Sequence, residues 1–179
     1  DEERYNYVFV QSNTSIEAML SEKNSWWNHA ADVLSTEEQA LVSALSATHT
    51  WTADSRHIYI DEGSIAKGLG GFIQFNFARP ENVDGFIQEN LTLWKPYFEK
   101  TMDSMGMVNW GVGRKLAPLG ANWAKVSTWD MFNTLEDLMK YRIGYKLPAD
   151  LLKKSKMKDH NPDGFMMTPI FQMIANSAQ

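Results

Sequence analysis

The stretch MVNWGVGRKLAPLGANWAKVSTWD, residues 107–130, decides how the fold is interpreted. Residues that favour strands alternate in it with polar or small residues, on both sides of a Pro118-Leu119-Gly120 segment typical of a turn. This pattern predicts an antiparallel hairpin with strands near 107–116 and 122–129. Tryptophans occupy both predicted strands, where a loop would carry polar residues.

A shorter stretch of the same kind, THTWTADSRHIYIDE, occupies residues 48–62. Asp54 and Ser55 are typical turn residues, so we predict strands near 48–53 and 56–61. The chain would therefore contain two aromatic hairpins.

Each predicted hairpin follows a strand and a helical region. In the second helical region Pro96 is expected to introduce a kink, and Gly106 to end the helix. The glycine-rich segment 63–71 is interpreted as a joint between halves. From alternation and from apolar residues at three- and four-residue spacing we predict strands near 5–11 and 72–79, helices within 15–48, over 81–106 and over 131–144, and a Met-rich tail.

Sliding the chain along itself aligns the two halves. Trp27 then meets Trp94 while Val8 meets Phe75, and a slightly shorter shift brings Trp51 onto the tryptophan of the longer hairpin. The similarity is one of pattern rather than identity. We interpret it as an internal duplication of a β-α-β-β unit.

Three motifs carry a resemblance to a known family: Trp94-Lys95-Pro96, Gly106 to Trp110, and Pro118 to Gly120. The run from Phe77 to Leu138, about a third of the chain, resembles the dimeric α+β barrel superfamily, especially its uncharacterised exported bacterial members. The resemblance implies an α+β fold, a ferredoxin-like α+β barrel whose helices cover antiparallel sheets. With both units fused in one chain, residues 1–67 would form a degenerate first half, 68–146 a second half, and 147–179 a C-terminal tail packed on the barrel.

Composition excludes several classes of function. The net charge of -5 disfavours binding to the phosphate backbone of nucleic acids. The absence of cysteine excludes disulfides and thiolate-bound metals. The sequence contains no run of about 18 apolar residues, so no membrane span is predicted. The start at Asp1 without methionine is expected either of a mature exported chain, periplasmic or extracellular, or of an arbitrary boundary, and we favour export. We also expect a monomer or a weak homo-oligomer.

Two groups of side chains are candidates for a site. His49, His57 and Tyr59 of the first hairpin are the catalytic candidates, because an imidazole beside a phenol can move protons; alternatively they only fill the sheet surface. Trp110, Arg114 and Trp123 are the ligand-binding candidates, because a guanidinium among indoles holds anionic or aromatic compounds by charge and stacking. Alternatively, these residues cap the end of a barrel. No metal site or cofactor is predicted.

The sequence leaves three functions open. The first is an exported binding protein for a small apolar or aromatic ligand. The second is an enzyme, since some members of the resembling superfamily are cofactor-independent monooxygenases or isomerases. The third is a structural or interaction module without a site. We expect Trp27 and Trp94, which lie on apolar helix faces, to be core residues rather than ligand contacts.

Overall fold

The structure, a computed structural model, describes residues 8–24, 29–48 and 57–175. The chain divides into two compact units, Asp1–Asp54 and Ser55–Gln179. The predicted strand 48–53 is wrong for Thr48, which ends a helix, and its residues 49–53 lie outside the described residues, as do the Asp54-Ser55 turn, His49, Trp27 and Trp51.

The first unit is helical where it is described. Ser15 caps its first helix by accepting a hydrogen bond from the Ala18 N–H at 3.0 Å. Ser35 and Glu38 form a capping box, in which the Ser35 N–H donates to the Glu38 carboxylate at 2.7 Å and the Glu38 N–H donates to Ser35 Oγ at 3.3 Å. The strand predicted near 5–11 is wrong for residues 8–11, which lie in no strand. The elements are α1 (Ile16–Leu20), a 3₁₀ turn (Glu22–Asn24), α2 (Ala30–Val33) and α3 (Thr36–Thr48).

The second unit is built on a six-stranded antiparallel sheet, and the predicted α+β class is confirmed. The strands lie in the order β1-β3-β4-β2, and β5 and β6 both pair with β2. Their bounds are β1 (Ile58–Ala66), β2 (Phe72–Ala78), β3 (Met107–Ala117), β4 (Val126–Phe132), β5 (Phe165–Met167) and β6 (Ile170–Gln172).

Helices follow β2 and β4. Asn82 caps the first of them, since its side chain accepts from the Gly85 N–H at 2.8 Å. The chain accommodates Pro96 by a π-helical turn just before it, because proline has no N–H to continue the regular ladder. The helical elements are α4 (Val83–Glu89), a π turn (Asn90–Trp94), α5 (Lys95–Thr101), a 3₁₀ turn (Met102–Met105), α6 (Leu135–Met139), a π turn (Lys140–Gly144), α7 (Ala149–Lys154) and α8 (Met157–His160).

Three predicted boundaries are wrong. Residues 63–66 belong to β1, so the glycine-rich joint is shorter than predicted. The fourth strand begins at Val126 rather than near 122, because the Trp123 N–H donates to the Gly120 carbonyl in a turn instead of pairing with β3. The last predicted helix begins only at Leu135, where Thr134 caps it.

The core lies between one face of the sheet and the helices. Phe98 of α5 packs on Trp110 of β3, with their ring centroids 5.3 Å apart. Trp94 is half-buried at the margin of this core. The other face of the sheet carries aromatic residues too: Trp129 lies across Gly111, where an added Cβ would be 2.1 Å from the ring.

The buried carboxylate of Glu89 holds the C-terminal segment against α4. It accepts hydrogen bonds from Trp94 Nε1 at 3.1 Å, from Ser155 Oγ at 2.5 Å and from the Lys156 N–H at 2.8 Å. His160 Nε2 lies 3.7 Å from the same carboxylate. This network fixes the start of the segment from which β5 and β6 return to the sheet.

Among the described residues, no helix combines the length and the apolar character needed to cross a membrane.

Candidate functional site

Four polar side chains lie in the interior on the helix-covered face of the sheet. Gln74 pairs with Asp130 across β2 and β4, and Asn76 pairs with Thr128. All four residues are buried. Alternation along two neighbouring strands therefore places a polar patch where a sheet normally presents apolar residues to its helices.

Hydrogen bonds satisfy this polar patch. Asn76 Nδ2 donates to Asp130 Oδ2 at 2.7 Å and to Thr128 Oγ1 at 3.1 Å. Gln74 Nε2 donates to Asn76 Oδ1 at 2.7 Å. The network is internally paired, as a buried polar cluster must be to avoid a large desolvation cost.

Asp130 is the titratable group of the patch. Burial raises the pKa of its carboxyl from 3.8 to about 6, although hydrogen bonds from Asn76 and Gln74 partly oppose the increase. This pKa brings the carboxyl close to neutral pH, where a side chain can accept or donate a proton.

Three tyrosines converge above the patch. Tyr141 lies on the π turn after α6, and burial, followed by the negative charge of Asp130, raises its pKa well above the ordinary value. The hydroxyls of Tyr97 and Tyr145 are hydrogen-bonded to each other. Burial and this hydrogen bond raise the pKa of Tyr97 to about 12. Tyr97 and Tyr141 are therefore neutral hydrogen-bonding groups at physiological pH.

Arg142 joins the patch to the C-terminal segment. Its Nη1 donates to Gln74 Oε1 at 2.8 Å and to the Thr168 carbonyl at 3.0 Å, while its Nη2 donates to Thr168 Oγ1 at 2.9 Å. These three bonds leave Nε–H and one Nη2–H of the guanidinium free for another acceptor. A positive charge is thus held at a fixed position beside neutral amides.

A cavity of about 290 Å³ opens between these groups. The amides and Arg142 line one side, with Tyr141 and Tyr145, and two apolar side chains complete the wall. Asp130 is not part of the lining, although it is hydrogen-bonded to Asn76, which is. The lining residues are Gln74, Asn76, Tyr141, Arg142, Tyr145, Leu147, Phe165 and Thr168.

The predicted ligand-binding residues do not meet at this cavity. Trp110 is 2% exposed and contributes to the core. Arg114 is engaged by Glu62, whose Oε1 lies 2.6 Å from its Nε, and by Asp84, whose Oδ1 lies 2.8 Å from its Nη2. Trp123 lies in the loop between β3 and β4.

The two described catalytic candidates are found near Trp123. The rings of His57 and Trp123 meet edge to face, with centroids 5.0 Å apart. Tyr59 pairs in register with Lys115, whose Nζ lies 4.7 Å from the centroid of Trp123. These residues form a second cluster, the Lys115 cluster, defined as His57, Tyr59, Lys115 and Trp123.

Sequence reasoning missed the cavity residues. A signal was present, since Gln74 and Asn76 alternate with phenylalanines in β2, as Thr128 and Asp130 alternate with other residues in β4. Two neighbouring strands that each carry two polar residues in phase indicate a shared polar face, but not whether helices cover it. Tyr141 and Arg142 were hidden inside a predicted helix.

Within residues 8–24, 29–48 and 57–175, no three His, Asp or Glu side chains are placed to hold a metal ion. No family model, no curated protein and no solved structure matches the chain.

Proposed function

We propose that the chain is a binding protein for a small one-ring aromatic compound that carries an oxygen acceptor. The observation that carries this proposal is the cavity of about 290 Å³, in which a fixed guanidinium and a phenol face apolar side chains. Small-ligand sites combine a mostly apolar wall with a few convergent polar groups in this way.

The free donors define the ligand. Arg142 has two N–H groups without an acceptor in the described part of the chain, and the Tyr141 hydroxyl makes no hydrogen bond there. The amides of Gln74 and Asn76 are largely occupied by each other and by Asp130. A carboxylate, phenolate or carbonyl oxygen would therefore bind to Arg142 and Tyr141, with the ring against Leu147 and Phe165.

Asp130 favours a second candidate function, a cofactor-independent isomerase or monooxygenase. A carboxyl with a pKa of about 6 is suited to take a proton from an acidic C–H or O–H group. However, this carboxyl is buried, does not line the cavity and accepts a hydrogen bond from Asn76, so a ligand in the cavity would not contact it directly. The geometry therefore favours binding over proton transfer.

The finer fold assignment is part of the same proposal. The order β3-β4-β2-β5, with helices after β2 and after β4, is that of a split β-α-β arrangement of the ferredoxin-like kind. This order supports the dimeric α+β barrel superfamily as the family of the second unit. The duplication, the fused barrel and export of the chain remain proposals from the sequence.

Titration of the full chain with one-ring aromatic acids, phenols and quinones tests the binding function. We expect saturable heat release in calorimetry for at least one class. Arg142→Met should then weaken binding about tenfold or more, because a charged hydrogen bond is lost. Arg79→Met, at an exposed position on the same chain, is the matched control and should leave the affinity unchanged.

A variant at Asp130 separates the two functions. Asp130→Asn keeps an acceptor for Asn76 but cannot exchange a proton, so a binding protein would keep its affinity. If any ligand of the panel is converted and Asp130→Asn abolishes the conversion while binding persists, the enzyme is the correct interpretation. If no compound binds, a structural or interaction module without a site is the interpretation that remains.

A further inference from the structure

Three buried polar atoms of the Lys115 cluster have no hydrogen-bond partner among the described residues. They are His57 Nε2, the Tyr59 hydroxyl and Lys115 Nζ. Lys115 is only 4% exposed, so its ammonium group has little access to bulk solvent. A buried polar group without a partner costs about 1–3 kcal/mol, and a charged one costs more.

The cluster lies on the face of the sheet opposite the cavity. Trp110, Val112 and Arg114 are alternate residues of β3 and lie on its helix-covered face. Lys115, the next residue, therefore lies on the other face. Tyr59 lies beside it in β1. Lys115 Nζ is 5.8 Å from the centroid of the Tyr59 ring and 4.7 Å from that of Trp123, so two aromatic rings flank the ammonium group.

All three unpartnered groups can donate a hydrogen bond. The ammonium of Lys115 and the phenol of Tyr59 are donors, and the Nε2 of a neutral imidazole is a donor in one of its two tautomers. Burial lowers the pKa of Lys115, and burial together with the positive charge of Lys115 lowers that of His57. No anionic group is among the causes of either shift, so nothing in the described chain compensates the charge of the ammonium form of Lys115.

Three donors, one of them cationic, between aromatic rings lack an anionic acceptor. We propose that His57, Tyr59 and Lys115 bind the carboxylate of a small aromatic acid, whose ring lies against Trp123. A carboxylate has two oxygens with enough lone pairs for all three donors, and it neutralises the ammonium. A cation is disfavoured, because no carboxylate of the described residues faces the three atoms.

Benzoate is the probe, with benzamide as its uncharged analogue. In the full chain, benzoate should shift the NMR signals of the His57 ring and the Lys115 side chain in a saturable manner, and benzamide should not. Bound benzoate should also raise the pKa of Lys115, followed through its side-chain chemical shift, because the anion stabilises the ammonium form.

Lys115→Met removes the charge at nearly constant length and should weaken benzoate binding at this cluster about tenfold or more. Lys100→Met, on the exposed side of α5, is the matched control and should not change it. Arg142→Met should also leave these shifts in place, since the cavity lies on the opposite face. The two binding proposals therefore fail independently.

Should Lys115→Met not fold, Tyr59→Phe keeps the ring and removes one donor, and benzoate binding should weaken severalfold. The proposal is overturned if benzoate shifts neither His57 nor Lys115. It is equally overturned if benzamide binds as tightly as benzoate, or if the folded variants keep the full affinity.

Discussion

Replacing Asp130 by asparagine should remove a pH-dependent decrease in the free energy of unfolding. The carboxyl is 3% exposed, and its pKa is raised from 3.8 to about 6 by burial. In the unfolded chain the group loses its proton near pH 3.8, whereas in the folded chain it keeps the proton until about pH 6. Between these values the folded state binds more protons, so the free energy of unfolding falls as the pH rises.

The magnitude follows from the pKa change. Each pH unit between the two values is worth about 1.4 kcal/mol, so the ionisation of Asp130 should cost about 3 kcal/mol above pH 6. The asparagine side chain of the variant resembles the protonated carboxyl and still offers an oxygen to Asn76 Nδ2. We therefore expect wild type and Asp130→Asn to have similar stability at pH 4, and the variant to be more stable at pH 7 by up to about 3 kcal/mol.

Urea unfolding followed by circular dichroism at several pH values from 4 to 7.5 measures this difference. Asp159→Asn, at an exposed position of α8, controls for the general effect of removing a negative charge. The reasoning fails if Asp130→Asn is less stable than wild type by the same amount at every pH. Such a result would mean that the hydrogen bonds from Asn76 and Gln74 outweigh burial and keep the carboxylate ionised.

Three further substitutions test contacts within the second unit. Glu89→Gln replaces a carboxylate that accepts from Trp94, a serine hydroxyl and a backbone N–H, so the amide NH2 of the variant must face one of these donors. We expect the free energy of unfolding in urea to fall by about 2–4 kcal/mol, and a loss under about 1 kcal/mol would contradict a buried network. Gly111→Ala should cost at least about 1–3 kcal/mol because its Cβ would clash with the Trp129 ring, whereas Gly68→Ala, with nothing within 4 Å, should not destabilise the fold. Arg114→Met should cost no more than about 1 kcal/mol, because its ion pairs are partly exposed, and the cost should shrink at high salt.

The longer antiparallel strands of the second unit could be predicted because their signals are local. Strand 72–78 and most of strand 107–117 follow from period-two alternation, and the helix between them follows from apolar spacing. Gly106 ends that helical region with φ of +69°, a conformation that glycine adopts without strain. Elements whose stability depends on their own sequence were therefore found within a few residues.

The elements that were missed depend on the rest of the fold. The strands 165–167 and 170–172 contain three residues each, too few to give a period, and they exist because β2 offers an edge for pairing. The π turn 140–144 places Tyr141 and Arg142 beside β2, although the sequence there predicts a regular helix. Sequence spacing alone does not show which distant strand such residues will meet.

The alternation in β2 shows most directly why the fold was easier to predict than the site. It separates Phe75 and Phe77 from Gln74 and Asn76, but a period of two does not say which face the helices will cover. The aromatic side would ordinarily be assigned to the core, yet the amides are the side chains that lie beneath the helices. They can do so because Asp130 and Thr128 of β4 face them in register and satisfy them. Burial of the polar side thus depends on two strands together, and Arg142, which reaches Gln74 from the π turn after α6, belongs to neither of them.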